Sequence, residues 1–263
     1  MSLNLELAAW ASPTQNDYLF KSDNAKKLLG KLGFNHFEAN DGFKFRPTKD
    51  SIGAIAAEKK LTVDEEDYTL IALAIRGGGY EAEWASNVTL GTSGQHQGFH
   101  KASQDVLKFL DNYIKTHHIK GKIKLWLTGY SRGGATANLL AGELHSGRKL
   151  PQVELAPSDL YAFCFEPPAG TLASFYPRNK KNDNIINIVN LNDVVTKVAP
   201  DTKNFEFTRY GKDILLPTRE LVGESQYSLL RDRMLRELEK IESLDDYIVD
   251  NFKRKKLSLN VNL

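Results

Sequence analysis

Residues 125–141 read LWLTGYSRGGATANLLA, and this stretch decides the fold of the chain. Its apolar start has the composition of a buried strand, and its Ala- and Leu-rich end has the spacing of a helix. Between them, residues 129–133 fit the pattern G-x-S-x-G. A strand, a tight glycine turn and a helix form a nucleophile elbow, which exposes a serine hydroxyl at the positive end of the helix dipole. We therefore predict that Ser131 is a nucleophile; the alternative is that it only caps the helix.

Apolar strands alternate with helical segments along most of the chain. We predict strands at residues 68–75, 123–127, 160–165 and 185–191, and helices at 24–32, 98–118 and from the elbow to about 145. This alternation favours an α/β fold with a mostly parallel central sheet and helices on both faces. After residue 200 the pattern changes, and residues 205–208 and 213–216 predict a small hairpin around Tyr210 and Gly211.

The length and charge of the chain limit its class. Its 263 residues suit one α/β domain, with a core at about residues 52–217 and a C-terminal helical segment at about 225–252. The 35 basic and 33 acidic side chains give a formal net charge of +2, which argues against nucleic acid or an anionic membrane as the main partner. The sequence leaves the oligomeric state open.

The lone cysteine and the N-terminus bear on location and cofactors. Cys164 has no partner for an internal disulfide, and its apolar neighbours indicate a core position. The N-terminus lacks the basic and apolar regions of a signal peptide, and no apolar stretch is long enough to cross a bilayer. These features predict a cytoplasmic protein without a transmembrane segment. Because the chain has a single cysteine and therefore no cysteine cluster, we expect no metal and no other cofactor.

Asp193 is the candidate acid. An acyl-transfer site needs a nucleophile, a base, an acid that orients the base, and N–H donors for the oxyanion. After a nucleophile elbow of this kind, the acid follows in the chain. Asp193 comes just after the strand predicted at 185–191, at the edge of the sheet where active sites of parallel sheets lie. The alternative is that Asp193 forms an Asx turn after Asn192.

Two backbone N–H groups are the expected oxyanion donors. The first belongs to Arg132, because an elbow uses the residue after its nucleophile. The second belongs to the stretch Arg76–Gly79, which follows an earlier strand, and within it we select Gly78. The alternative is that these glycines form only a flexible turn.

Four blocks of the sequence resemble, in order, motifs of the class 3 lipases, a branch of the α/β-hydrolases. They look like the family's F-R-G-[ST] with D-W-x-x-[ND], V-H-x-G-F, V-T-G-H-S-L-G-G and N-x-x-D-x-V-P-x-x-P. The matching residues are Ile75–Gly78 with Glu83, Trp84 and Asn87; Gln95–Phe99; Leu127–Gly134; and Asn190–Val195 with Ala199 and Pro200. The resemblance covers about residues 52–217.

This resemblance implies an α/β-hydrolase fold and a lipase or esterase that acts on carboxylic esters through an acyl-serine. The substrate it implies is a small-molecule or lipid ester. It places Ser131 and Asp193 in the triad and backbone donors at Gly78 and Arg132.

The base of such a triad is missing from its expected place. All six histidines precede Asp193, whereas the family places its base after the acid, in a block like H-x-G-x-[DE]-[IV]. The nearest match is Arg209–Ile214, with Arg209 in the histidine position. A guanidinium stays protonated and accepts no proton. We therefore predict that Arg209 forms a salt bridge with Asp193, and that His96 has a structural role.

Three hypotheses about function remain open. The first is a serine ester hydrolase whose general base is not identified. The second is a catalytically attenuated or non-catalytic, lipase-like binding module, because loss of a triad histidine costs on the order of 10⁶ in kcat. The third is that a longer chain carries the histidine beyond Leu263.

Overall fold

The computed structural model describes residues 22–43, 52–77, 95–174, 182–197, 206–216, 219–229 and 232. The chain divides into two compact units, Trp10–Leu216 and a second unit made of Met1–Ala9 with Pro217–Leu263. In the second unit, residues 224–229 are helical, and most of the helix predicted at 225–252 lies outside the described residues. The single-domain organisation stays a prediction.

Strands and α-helices alternate between residues 66 and 154, as the sequence predicts, whereas strands follow one another without an intervening α-helix in the described residues before and after that stretch. The α-helices are α1 (Ser22–Lys31), α2 (Gln97–Thr116), α3 (Arg132–His145) and α4 (Arg219–Val222). The strands are β1 (Asn35–Ala39), β2 (Ala54–Val63), β3 (Glu66–Ile75), β4 (Gly121–Tyr130), β5 (Val153–Glu154), β6 (Leu160–Phe165), β7 (Thr171–Leu172), β8 (Ile185–Val189), β9 (Phe207–Thr208) and β10 (Lys212–Leu215). None of the helices in the described ranges is long and apolar enough to cross a membrane.

The central sheet is mostly parallel. Its strand order is β1-β2-β3-β4-β6-β8-β10, with the short β5 paired to β4. From β3 to β10 every neighbouring pair on this path is parallel, whereas β1, β2 and β3 form an antiparallel edge. The carboxyl ends of β3, β4, β6 and β8 therefore meet at one edge of the sheet, where each strand passes into a loop or a helix.

Helices cover both faces of this sheet, which confirms the predicted architecture. Leu125 and Leu127 of β4 pack in one buried cluster with Val106 of α2 and Leu139 of α3. Trp126 points to the opposite face because successive side chains of a strand alternate. Its ring centroid lies 6.1 Å from that of Phe34, which follows α1.

The predicted hairpin around Tyr210 is wrong. Strand β9 pairs with β7 in a small separate sheet, and β10 extends the main sheet in parallel beside β8. Buried amides hold the chain between them: Asn138 and Asn187 each donate from Nδ2 to the Tyr210 carbonyl at 2.9 Å. The Tyr210 N–H donates back to Asn138 Oδ1 at 3.0 Å. These partners are distant in the chain, so local turn chemistry does not reveal them.

Candidate active site

Ser131 occupies the sharp turn between β4 and α3. Its backbone has φ 53° and ψ −123°, a conformation that residues other than glycine rarely adopt. The Ser131 N–H donates to the Phe165 carbonyl at 2.9 Å, and its own carbonyl accepts from Ala135 N at 3.0 Å. Its side chain makes no capping hydrogen bond to α3. The hydroxyl is therefore not used as a helix cap, which argues against the alternative interpretation of this serine.

Two glycines of the motif allow β4, the turn and α3 to approach closely. A Cβ on Gly129 would lie 2.1 Å from the carbonyl oxygen of Gly133. A Cβ on Gly133 would lie 2.5 Å from the carbonyl oxygens of both Ile75 and Arg76 at the end of β3. Contacts this short with backbone atoms cannot be relieved by moving a side chain. The spacing G-x-S-x-G is thus set by the packing of three backbone segments.

Gly133→Ala is expected to destabilise the protein by roughly 2–3 kcal/mol, because a methyl group inserted here must displace backbone. The matched control is Gly30→Ala on α1, where the nearest atom to a new Cβ is Phe37 Cζ at 3.6 Å. There alanine should be neutral or stabilising by up to about 1 kcal/mol. Urea unfolding followed by circular dichroism measures both variants. Equal midpoints for the two variants would contradict the packing argument.

The predicted oxyanion donors lie partly within the described residues. Arg132 is the first residue of α3, and the first N–H groups of a helix point out of its N-terminus. On the other side, a Cβ on Gly77 would lie 3.0 Å from the carbonyl oxygen of Tyr130. The glycine stretch therefore starts at the same edge of the sheet as Ser131. Gly78 itself lies outside the described residues, so its role stays a prediction.

Asp193 lies in the loop after β8. Its Oδ1 accepts from Val195 N at 2.9 Å, and its carbonyl accepts from the Thr196 hydroxyl at 2.7 Å. This is the Asx turn that the sequence left open as an alternative. Oδ2 makes no hydrogen bond within the described part of the chain. After burial, the negative charge of Asp193 is the largest influence that raises the pKa of Tyr130, the residue before Ser131.

Glu166 lies at the same edge of the sheet as Ser131, and the sequence analysis did not select it. It follows β6 directly, and its N–H donates to the Ile188 carbonyl at 2.8 Å. Its Oε2 accepts from Asn190 N at 2.7 Å. The backbone of Glu166 has φ 46°, again in the left-handed region. An acidic residue between an apolar strand and the pair Pro167-Pro168 was the available sequence signal.

The surroundings of Glu166 shift its titration. Burial, with a smaller effect of the negative charge of Asp193, raises the pKa of Glu166 to about 7. The hydrogen bond from Asn190 N and the positive charge of Arg209 act in the opposite direction. Glu166 therefore changes its protonation state near neutral pH, as an unperturbed histidine does.

The family model for lipase (class 3) matches residues 72–203, just over half of the chain. This chain belongs to the class 3 lipase family. Among solved structures, it is similar to the Rhizomucor miehei lipase propeptide complex, with 20% identity over 83% of this chain and 70% of that chain and a TM-score of 0.51.

It is also similar to lipase II from Rhizopus niveus, with 18% identity over 82% of each chain and a TM-score of 0.55. At these identities the two structures show the shared α/β-hydrolase lipase fold. No curated protein matches the sequence.

The predicted salt bridge between Arg209 and Asp193 is wrong. Arg209 Nη1 instead donates to Asp213 Oδ2 at 3.0 Å. Nε donates to the Pro167 carbonyl at 2.6 Å, and Nη2 to the Thr196 carbonyl at 2.7 Å. Asp213 lies at i+4 across the turn that Asn138 and Asn187 hold. Arg209 thus links the segment after Glu166 to the segment after Asp193.

The histidines in the described part of this member of the class 3 lipase family do not complete a triad. His96 is fully buried, and its ring stacks on Phe99 with centroids 4.1 Å apart. Neither His96 nor His100 hydrogen-bonds to Asp193, whose hydrogen bonds remain within its own loop. Within the described ranges, no three His, Cys, Asp or Glu side chains are grouped so that they could hold a metal ion.

Proposed function

We propose that this member of the class 3 lipase family hydrolyses carboxylic esters through an acyl-serine formed on Ser131. The backbone conformation of Ser131 is the observation that carries the proposal. A non-glycine residue held in such a region costs of order 1–3 kcal/mol and persists where the surroundings enforce it. Here the Phe165 carbonyl and the glycine packing enforce it, and the hydroxyl makes no cap.

The geometry supports the chemistry of acyl transfer. Ser131 Oγ attacks the carbonyl carbon of the ester, and the developing oxyanion lies toward the N-terminus of α3. The Arg132 N–H and the positive end of the helix stabilise that charge, and Gly78 is the proposed second donor. Loss of the alcohol leaves an acyl-serine, which water then hydrolyses. Family membership favours a lipid ester as the substrate, and small-molecule esters share the same reactive group.

A fluorophosphonate probe tests the nucleophile without knowledge of the natural substrate. We expect one label per chain, on the peptide that contains Ser131, as located by mass spectrometry. Hydrolysis of p-nitrophenyl esters of increasing acyl length then gives the chain-length preference. Ser131→Ala and heat-unfolded protein are the controls, and neither should react. Label on another serine, or no label on folded protein, would count against an activated Ser131.

A binding module without catalysis is the rival function. It is favoured by one observation, that the described part of the chain offers Asp193 no imidazole partner. Such a protein would fold and bind a fatty acid or ester, yet would neither take the probe nor release p-nitrophenol. The labelling experiment therefore separates the two functions.

A further inference from the structure

The strand register places Glu166 beside the elbow. In the parallel pairing of β4 with β6, Tyr130 lies opposite Phe165. Ser131 and Glu166 are the next residues of these two neighbouring strands, at the edge of the sheet where the site lies. The hydrogen bond from Ser131 N to the Phe165 carbonyl, 2.9 Å long, fixes this arrangement. The peptide group that joins Phe165 to Glu166 is therefore hydrogen-bonded to the backbone of the nucleophile.

The backbone of Glu166 does not favour a side chain at this position. At φ 46°, glycine would adopt the same conformation without strain. The chain nevertheless carries a long acidic side chain here and bears the conformational cost. This makes a role in the fold alone a poor explanation, because the N–H that continues the ladder to Ile188 would be present in any residue but proline.

Only one of the two carboxyl oxygens of Glu166 accepts a hydrogen bond within the described residues. Oε2 accepts from Asn190 N, and the Asn190 carbonyl in turn accepts from Asp193 N at 3.1 Å. Oε1 makes no hydrogen bond within the described residues. The charged groups that act on this carboxyl are Asp193 and Arg209, and both it and Asp193 act on the Tyr130 phenol. The negative charge of Glu166 therefore reaches Tyr130, the residue before Ser131.

We propose that Glu166 is the general base of this site and takes the proton of the Ser131 hydroxyl, directly or through one water molecule. This inference rests on the proposed function. A proton acceptor is most effective when its pKa lies near the working pH, and about 7 meets that condition. Asp193, which would orient the base in a histidine triad, here contributes to the raised pKa of Glu166.

The reaction balances with these groups alone. As Ser131 Oγ bonds to the ester carbonyl carbon, its proton moves to the Glu166 carboxylate. When the carbon–oxygen bond to the alcohol breaks, the protonated Glu166 returns that proton to the leaving oxygen. In the second half, water attacks the acyl-serine and gives a proton to Glu166. That proton returns to Ser131 Oγ as the acid is released.

Glu166→Gly, with and without formate, is the principal test. Glycine fits φ 46° without strain, but it removes the whole side chain together with its hydrogen bond from Asn190 N, so the melting temperature is measured on the same samples to show that the variant is folded. We expect the rate of fluorophosphonate labelling of Ser131 to fall by roughly 10²- to 10³-fold. Added formate, an external carboxylate, should restore at least part of this rate. Gln152→Gly, which relieves an exposed left-handed residue at φ 65°, should label at the wild-type rate.

Glu166→Gln is the second variant, because its amide oxygen can still accept from Asn190 N. In wild-type protein the labelling rate should rise with pH through an inflection near 7. In Glu166→Gln the rate should be low and this inflection absent. If Glu166 had only a structural role, Glu166→Gln would keep the wild-type inflection, and formate would not accelerate the labelling of Glu166→Gly.

The outcomes separate the two proposals. If Ser131 is labelled and the Glu166→Gln protein keeps the wild-type rate and inflection, the inference fails and the proposed function stands. Loss of labelling in Glu166→Gly without any rescue by formate also overturns the inference. If folded wild-type protein takes no label and cleaves no ester, both proposals fail.

Discussion

Ser131→Gly is expected to abolish ester hydrolysis and to stabilise the protein at the same time. Loss of Oγ removes the nucleophile, so kcat/KM for a p-nitrophenyl ester should fall by at least about 10³-fold. Glycine also relieves the conformation at φ 53°, ψ −123°. The relief is of order 1–3 kcal/mol, and the greater freedom of glycine in the unfolded chain offsets about 0.4–1 kcal/mol of it. We expect a net gain near 1 kcal/mol.

Ser131→Ala separates these two effects. Alanine removes the hydroxyl but keeps the strained backbone, so this variant should be equally inactive with nearly wild-type stability. Ser103→Gly is the matched control: Ser103 lies inside α2, where glycine should cost about 1 kcal/mol and leave hydrolysis unchanged. Urea unfolding and ester hydrolysis on the same samples give both quantities. Equal stability of the glycine and alanine variants at position 131 would show that the turn holds no strain.

Much of the sheet could be predicted because its determinants are local. The apolar run at residues 160–165 coincides with β6, and the strand that leads to Ser131 continues to Tyr130 as β4. The strand predicted at 185–191 ends earlier, at Val189. The cause is a contact with a residue that is distant in the chain. The Asn190 N–H is taken by the Glu166 carboxylate rather than by a neighbouring strand.

The geometry of the candidate site was predictable only where a single sequence motif determines it. Ser131 and the two close-packed glycines belong to a single turn, so five consecutive residues reveal them. Arg209 and Glu166 depend on partners from other strands. Arg209 has Asp213 at i+4 and two carbonyls from loops that the sheet brings together. The sequence motif predicts that Arg209 lies near the site, but it does not show which of the nearby carboxylates Arg209 binds.

Arg209→Met gives the second large effect, on stability and on the pH at which the site becomes active. Only 13% of the Arg209 side chain is exposed, and its guanidinium makes three hydrogen bonds that methionine cannot make. Each such bond from a charged group contributes about 1.5 kcal/mol or more, so the free energy of unfolding should fall by roughly 3–5 kcal/mol.

The charge of Arg209 also acts on Glu166. Because this positive charge lowers the pKa of Glu166, its removal should raise that pKa further. A carboxyl with a higher pKa loses its proton at higher pH, so the inflection in Ser131 labelling should move above its wild-type value near 7. Arg209→Lys keeps the charge but loses the three-way contact, and it should be destabilised while its inflection stays close to that of the wild type. If the methionine variant keeps the wild-type inflection, Glu166 does not govern the labelling, even if stability falls as expected.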